Sequence, residues 1–167
     1  GPIVASVDVP SLSNTKATLA TEINPEGEQS SSHFEYVEEA SFEVNGFDDA
    51  VRVPENEAED PEFGGPGDFG LHAFEEQIGC PDPAEEAGLP NSTCLTPSTD
   101  YRFRVIAVNT AGEGNSPVEG RFTTRPPLEL LGTWSTEVGT DSARLHALLN
   151  PLGIPTTGHF EYVAEAS

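Results

Sequence analysis

The chain has no methionine, a single lysine (Lys16), a single tryptophan (Trp134) and two cysteines. Each scarcity excludes something. With 29 acidic residues against 7 basic ones, the surface repels nucleic acid and anionic lipid, so neither is an expected partner. No apolar run approaches the roughly 20 residues of a membrane span, so direct membrane insertion is not expected. Without methionine, the 167 residues lead us to expect a piece of a longer chain. The leading Gly1-Pro2 resembles a protease-cleavage scar, to be kept out of fold reasoning. No phosphate loop, nucleophile elbow, dinucleotide fingerprint or His-x-x-x-His pair occurs. Carboxylate pairs are unavoidable in so acidic a chain and do not argue for a glycosidase. A non-catalytic protein is expected.

What is abundant is turn chemistry. Sixteen Gly and 15 Pro fall between short apolar runs, as turns do in all-β proteins. Ala17, Leu19, Thr21 and Ile23 form one face of a period-2 run, and Asn24-Pro25-Glu26-Gly27 then supplies a turn. Phe34 and Tyr36 alternate with Glu35 and Val37. Tyr101, Phe103, Val105 and Ala107 oppose Arg102, Arg104, Ile106 and Val108. A weaker first strand spans Val4 to Val9, and a last one contains Phe122. No helical period is evident.

The strongest signal is internal. Residues 17–41, ATLATEINPEGEQSSSHFEYVEEAS, align without a gap to residues 143–167, ARLHALLNPLGIPTTGHFEYVAEAS, at an offset of 126. Leu19 matches Leu145, Asn24 matches Asn150, and HFEYV at 33–37 recurs at 159–163. Upstream, Val4 matches Leu130. Self-similarity at a fixed spacing marks an array. Arg125-Pro126-Pro127 reads as the link between copies, because Pro does not continue a central strand. Residues 1–126 are expected to form one domain and residues 127–167 the first three strands of a second.

Leu95-Thr96-Pro97-Ser98-Thr99-Asp100-Tyr101, followed by RFRVIAVNTAGEGNSP, resembles the late-strand signature of fibronectin type III domains. The earlier half, with NPEG and HFEYV, is similar to fibronectin-like repeats of large bacterial secreted and surface proteins. The resemblance implies tandem immunoglobulin-like antiparallel β-sandwiches, the second truncated. Leu95 and Tyr101 would then be core anchors beside Phe34 and Tyr36, with the Tyr101 hydroxyl bonded to nearby backbone. It also implies an extracellular, secreted or cell-surface spacer, adhesion or structural module. Its partners would be neighbouring repeats or a neighbouring chain, with any protein or glycan ligand unidentified. The competing reading is an accessory binding module of a secreted multidomain enzyme. The family commonly carries a Trp on its second strand, where this chain has Leu19 and Ile23.

Residues 44–89 exceed the connection expected of that family and read as a long acidic insertion. Between Glu35 and Glu86, Arg52 is the one Lys or Arg. Calcium takes about six to eight oxygens, and Asp48, Asp49, Glu57, Glu59, Asp60 and Asp68 are the candidates. The calcium-loop spacing D-x-[DN]-x-[DN]-G is missing, and a solvated acidic loop is the plainer expectation. Phe63, Phe69, Leu71 and Phe74 offer either a partner surface or anchors pinning the loop to the sandwich edge. Cys80 and Cys94 bracket a Pro-rich polar stretch. They are expected to form a disulfide, since two thiolates leave a zinc site half filled. That pairing implies an oxidising compartment; two free thiols would imply a reducing one. His33 and His159 share a repeat position and are expected as partly exposed residues at the sheet rim. His72 and His146 belong to no recognisable site. Asn91-Ser92-Thr93 is an N-glycosylation sequon, a tripeptide frequent by chance.

Overall fold

A computed structural model describes residues 1–80, 94–151 and 156–164. The Asn91 sequon lies outside them. The chain divides into two compact units, Gly1–Arg125 and Pro126–Ser167.

In the first unit the elements run β1 (Ile3–Leu12), β2 (Lys16–Asn24), β3 (Ser30–Glu38), helix α1 (Glu39–Asn45) and β4 (Val51–Val53). After a 3-10 turn at Glu57–Glu59 come β5 (Glu62–Phe63), β6 (His72–Gly79), β7 (Asp100–Asn109) and β8 (Val118–Thr123). One antiparallel sheet has the order β1-β2-β6. The other has the order β4-β3-β7-β8, with β5 on the start of β3. Every alternate residue of β2 from Ala17 to Ile23 is buried, as is every alternate residue of β7 from Tyr101 to Ala107. These two faces meet in one apolar cluster that Val4, Phe34, Phe63, Ile78, Leu95 and Phe122 complete. Two antiparallel sheets enclosing a single core make the unit a β-sandwich-like fold. Leu19, Ile23 and Val105 are wholly removed from solvent, each stabilising by about 1.5–3 kcal/mol relative to exposure. Tyr36 is only half-buried and packs against the cluster's margin.

Several expectations need correction. The apolar period of β1 is irregular because its pairing with β2 shifts register between Val4 and Ser6 and between Asp8 and Ser11. A bulge reverses the faces downstream of it. The stretch 44–89 is not one loop. It contains β4 and β5, and its β6 pairs with β2 from Lys16↔Gly79 to Ile23↔His72. The period there is genuine, with His72, Phe74, Glu76 and Ile78 less exposed than Ala73, Glu75 and Gln77; a glutamate at an inward position disguises it. A helix also forms where no helical period was evident. Seven residues are too few to display one, and tertiary contacts described below hold it. Finally, Pro2 is fully buried, and its carbonyl lies against Gly114. Pro2 therefore packs with the first unit, while Gly1 is exposed.

The second unit contains an antiparallel pair, β9 (Glu129–Thr136) and β10 (Arg144–Asn150). Its register reproduces that of β1 and β2 at the same offset of 126. Val4↔Ile23 becomes Leu130↔Leu149, and Ser6↔Glu22 becomes Gly132↔Leu148. Val7↔Thr21 becomes Thr133↔Ala147, and Asp8↔Ala20 becomes Trp134↔His146. Both pairs skip one residue at the same place, Ala5 and Leu131. The second shift of β1 is missing from β9, where Thr136 pairs regularly with Arg144. The matching residue of β1 is Pro10, which has no N–H to give a ladder. The expected third strand does not form: residues 159–163 carry no strand, although the identical HFEYV at 33–37 lies in β3. In the first unit that pentapeptide pairs with both β4 and β7, whereas among the described residues β9 and β10 pair, as strands, with each other alone.

Candidate functional site

The basic residues of β7 organise the most individual surface. Arg102 and Arg104 point away from the core that Tyr101, Phe103 and Val105 enter. Arg102 donates from Nε and Nη2 to the two carboxylate oxygens of Glu39, at 2.7 and 2.8 Å. Its guanidinium lies 4.0 Å from the centre of the Phe42 ring. Arg104 binds Glu35 at 2.6 Å and lies 4.2 Å over Phe47. The two rings meet edge-on at 5.1 Å. Helix α1 and the turn after it thus roof the outer face of the sheet with two cation–π pairs. Arg102 holds the Glu39 carboxyl below the usual range, chiefly by hydrogen bonding. The sequence signal for this roof was present but unread: two arginines at i and i+2, facing outward, in a chain that has few.

The six acidic candidates are dispersed. Asp49 accepts from Asn45 Nδ2 at 2.6 Å and Ser41 Oγ at 2.8 Å, and these bonds lower its pKa. Asp60 accepts from Arg52 Nη2 at 2.6 Å and faces His33 Nδ1 at 3.7 Å; its Oδ1 is buried without a hydrogen-bond partner. Asp68 accepts from the Gly70 N–H and shares a 2.9 Å hydrogen bond with His72 Nε2. Its pKa is lowered first by the backbone bond and then by His72. Glu57 and Glu59 stand exposed on the 3-10 turn, and Asp48 is exposed after α1. Among the described residues, no three His, Cys, Asp or Glu side chains converge in a ligating arrangement.

His33 is not at a sheet rim. It lies on β3, which is flanked by β4, β5 and β7, with 16 % of its side chain exposed between Glu35 and Asp60. Burial lowers its pKa most and Arg52 lowers it further, against the opposing pull of Asp60 and Glu35.

The insertion aromatics divide. Phe63 is buried and meets Phe74 at 4.7 Å and the His72 ring at 5.4 Å, so these two phenylalanines anchor the segment. Phe69 and Leu71 remain 63 % and 57 % exposed. The loop that carries them is tied to the Asn24–Gly27 turn: Gly27 N–H donates to Asp68 O at 2.7 Å, and Gly67 N–H to Gly27 O at 3.2 Å. Gly27 has φ +81°, and a Cβ there would lie 3.0 Å from the Phe69 ring.

Cys80 and Cys94 form a disulfide with Cα atoms 4.2 Å apart. Cys80 N–H and Leu95 N–H both donate to Thr15 O, so the crosslink is moored to the β1–β2 turn. Such a bond belongs to an oxidising environment. Nearby, the Tyr101 hydroxyl accepts from Thr96 N–H at 2.9 Å and donates to Glu38 Oε1 at 3.1 Å. An open groove of about 250 Å³ beside it is lined by Tyr36, Ser41, Asp49, Val51 and Leu95. Ser41 there donates to Asp49 Oδ2 at 2.8 Å. Two asparagines close the sandwich ends. Asn115 donates to Val4 O and accepts from Val4 N–H, and Asn109 donates to Pro25 O. Both lie in the stretch that carries the fibronectin type III resemblance, where Asn109 ends β7 and Asn115 reads as one more loop polar residue. Among the described residues, no helix is long and apolar enough to cross a membrane.

No family model matches the chain, and no curated protein does. Among solved structures, the sensor domain of the anti-sigma factor RsgI4 of Pseudobacteroides cellulosolvens is similar in two forms. The short form is 14 % identical with a TM-score of 0.43, covering 75 % of this chain and 94 % of that one. The long form is 14 % identical with a TM-score of 0.41, covering 83 % and 98 %.

Proposed function

We propose that the chain is a non-catalytic, fibronectin type III-like module of a tandem array, serving as an extracellular spacer or adhesion unit. The observation that carries this reading is the register of β9 and β10, which repeats that of β1 and β2 pair for pair, skipped residue included. A bulge is a specific local device, and its recurrence at a spacing of 126 is what duplication of one design produces. The fibronectin-like assignment is further supported by Tyr101, whose buried ring and backbone-bonded hydroxyl follow the corner pattern of related sandwiches. The disulfide and the acidic surface suit an exposed, soluble life outside a reducing cytoplasm.

The accessory-module alternative would be favoured by a row of aromatics on one sheet face. Phe69 is the one large aromatic exposed among the described residues of the first unit, so nothing specific favours it. Reading the open reading frame that encodes the chain is the test. Further copies at about this spacing support a stalk or adhesion array. An adjoining catalytic domain, together with polysaccharide binding by the purified chain, would replace this reading with the accessory one.

A further inference from the structure

We infer that β8 is a homotypic docking edge, pairing antiparallel with β8 of a second copy about a two-fold axis at Gly120. This strand borders the five-stranded sheet of the unit with the closed core, and among the described residues it pairs with β7 alone. Its outer edge presents N–H and C=O groups without strand partners, a template for strand addition. The other edges of the first unit suit pairing less. Strand β1 is broken by two register shifts and Pro10, and β4 and β5 span three and two residues. Strand β6 carries Glu75 and Glu76 and no Lys or Arg.

The charges of β8 point to its occupant. Val118, Gly120 and Phe122 alternate inward, and Glu119, Arg121 and Thr123 are exposed on the outer face. There Arg121 stands directly opposite Arg102, a like-charge pair that is unfavourable without counter-ions. Arg102 has one, because Glu39 holds it through two hydrogen bonds. Arg121 is felt by that same Glu39 but makes no hydrogen bond or salt bridge among the described residues. Glu119 is half exposed, and its contact with Arg102 is long, at 3.6 Å. A two-fold on Gly120 sets Glu119 of each copy opposite Arg121 of the other, and Val118 opposite Phe122. Moving the axis one residue, to Glu119 or to Arg121, sets like charges against each other. An axis between residues would set inward side chains against outward ones. One register therefore satisfies both faces, and it is self-complementary, as a two-fold interface requires. So short a ladder makes a small interface, and the association is of the weak class. The inference rests on this edge and its charges, not on the proposed spacer role.

Sedimentation equilibrium of the whole 167-residue chain, from micromolar to millimolar concentration, is the test. We expect the mass to rise toward that of two chains. In the dimeric range, amide exchange at alternate residues of Val118–Thr123 should slow by about fivefold or more. Arg121→Glu sets like charges opposite each other in that register and should weaken the dimer about tenfold. It also removes the like-charge pair with Arg102, so the variant is expected to fold, as a circular-dichroism melt will check. The double variant Glu119→Arg/Arg121→Glu, which exchanges the two charges, should recover association. A chain monomeric throughout, a dimer indifferent to Arg121→Glu, a double variant no better than the single one, or protection that spares β8 would each overturn the inference.

Discussion

At the residue scale, the first unit depends on a few side chains whose work is geometrically specific. Tyr101 fills the core with its ring and bridges Thr96 N–H and Glu38 with its hydroxyl. Tyr101→Phe keeps the packing and leaves a part-buried N–H without its acceptor. It should destabilise by about 1–2 kcal/mol, measured by urea unfolding of the variant against the parent. Leu19→Ala, in contrast, opens a cavity at a site with no exposure and should cost about 2–5 kcal/mol. His33 makes a prediction with a sign. Its folded pKa lies below the ordinary 6.5, so the unfolded chain binds the proton more readily. Its contribution is complete above 6.5 and is lost as pH falls from there through the lowered folded value. His33→Gln should therefore flatten that part of the pH–stability curve. An unchanged slope would mean that the burial of His33 is not what drives the dependence.

At the element scale, the acidic stretch proves to be three things joined end to end. Its first part is the roof built on Arg102 and Arg104, its middle a loop strapped to the Asn24–Gly27 turn, and its last a full partner for β2. Three of the six calcium candidates are already engaged: Asp49 with Ser41 and Asn45, Asp60 with Arg52, Asp68 with His72. Excess calcium should accordingly leave the melting temperature unchanged, whereas a rise that a chelator reverses would show a site assembling from them. The disulfide ends β6 and closes a loop with a sequence separation of 14. Replacing both cysteines with serine should cost about 3 kcal/mol in the chain-entropy account. Alkylation under non-reducing denaturing conditions should find no free thiol in the parent.

At the scale of the whole molecule, residues 1–125 own a closed core, and the second unit has a hairpin with its leucines in water. A chain ending at residue 125 should unfold cooperatively with a melting temperature within a few degrees of the parent's. Broad, non-cooperative melting would show that the first unit is not self-sufficient.

Much of this was legible in the residues. The clean alternation of β2 and β7 encodes which face is buried, because side-chain direction along a strand has period 2 and burial selects the apolar side. The 126-residue offset likewise announces the repeat through residue identities alone. Strand β6 was hidden because its inward Glu76 interrupts the apolar count. Helix α1 was hidden because its support comes from Arg102, more than fifty residues later in the chain. The pentapeptide His-Phe-Glu-Tyr-Val shows the limit most directly. At 33–37 it is strand and its Phe34 is 2 % exposed; at 159–163 it carries no strand and Phe160 is 51 % exposed. The local sequence determines that Phe and Tyr alternate and suit a pleated surface. Whether they form a strand is decided by tertiary structure, because an extended segment has no hydrogen bonds of its own and takes them from neighbours. In the first unit β4 and β7 provide them; among the described residues of the second, β9 and β10 pair with each other and not with it.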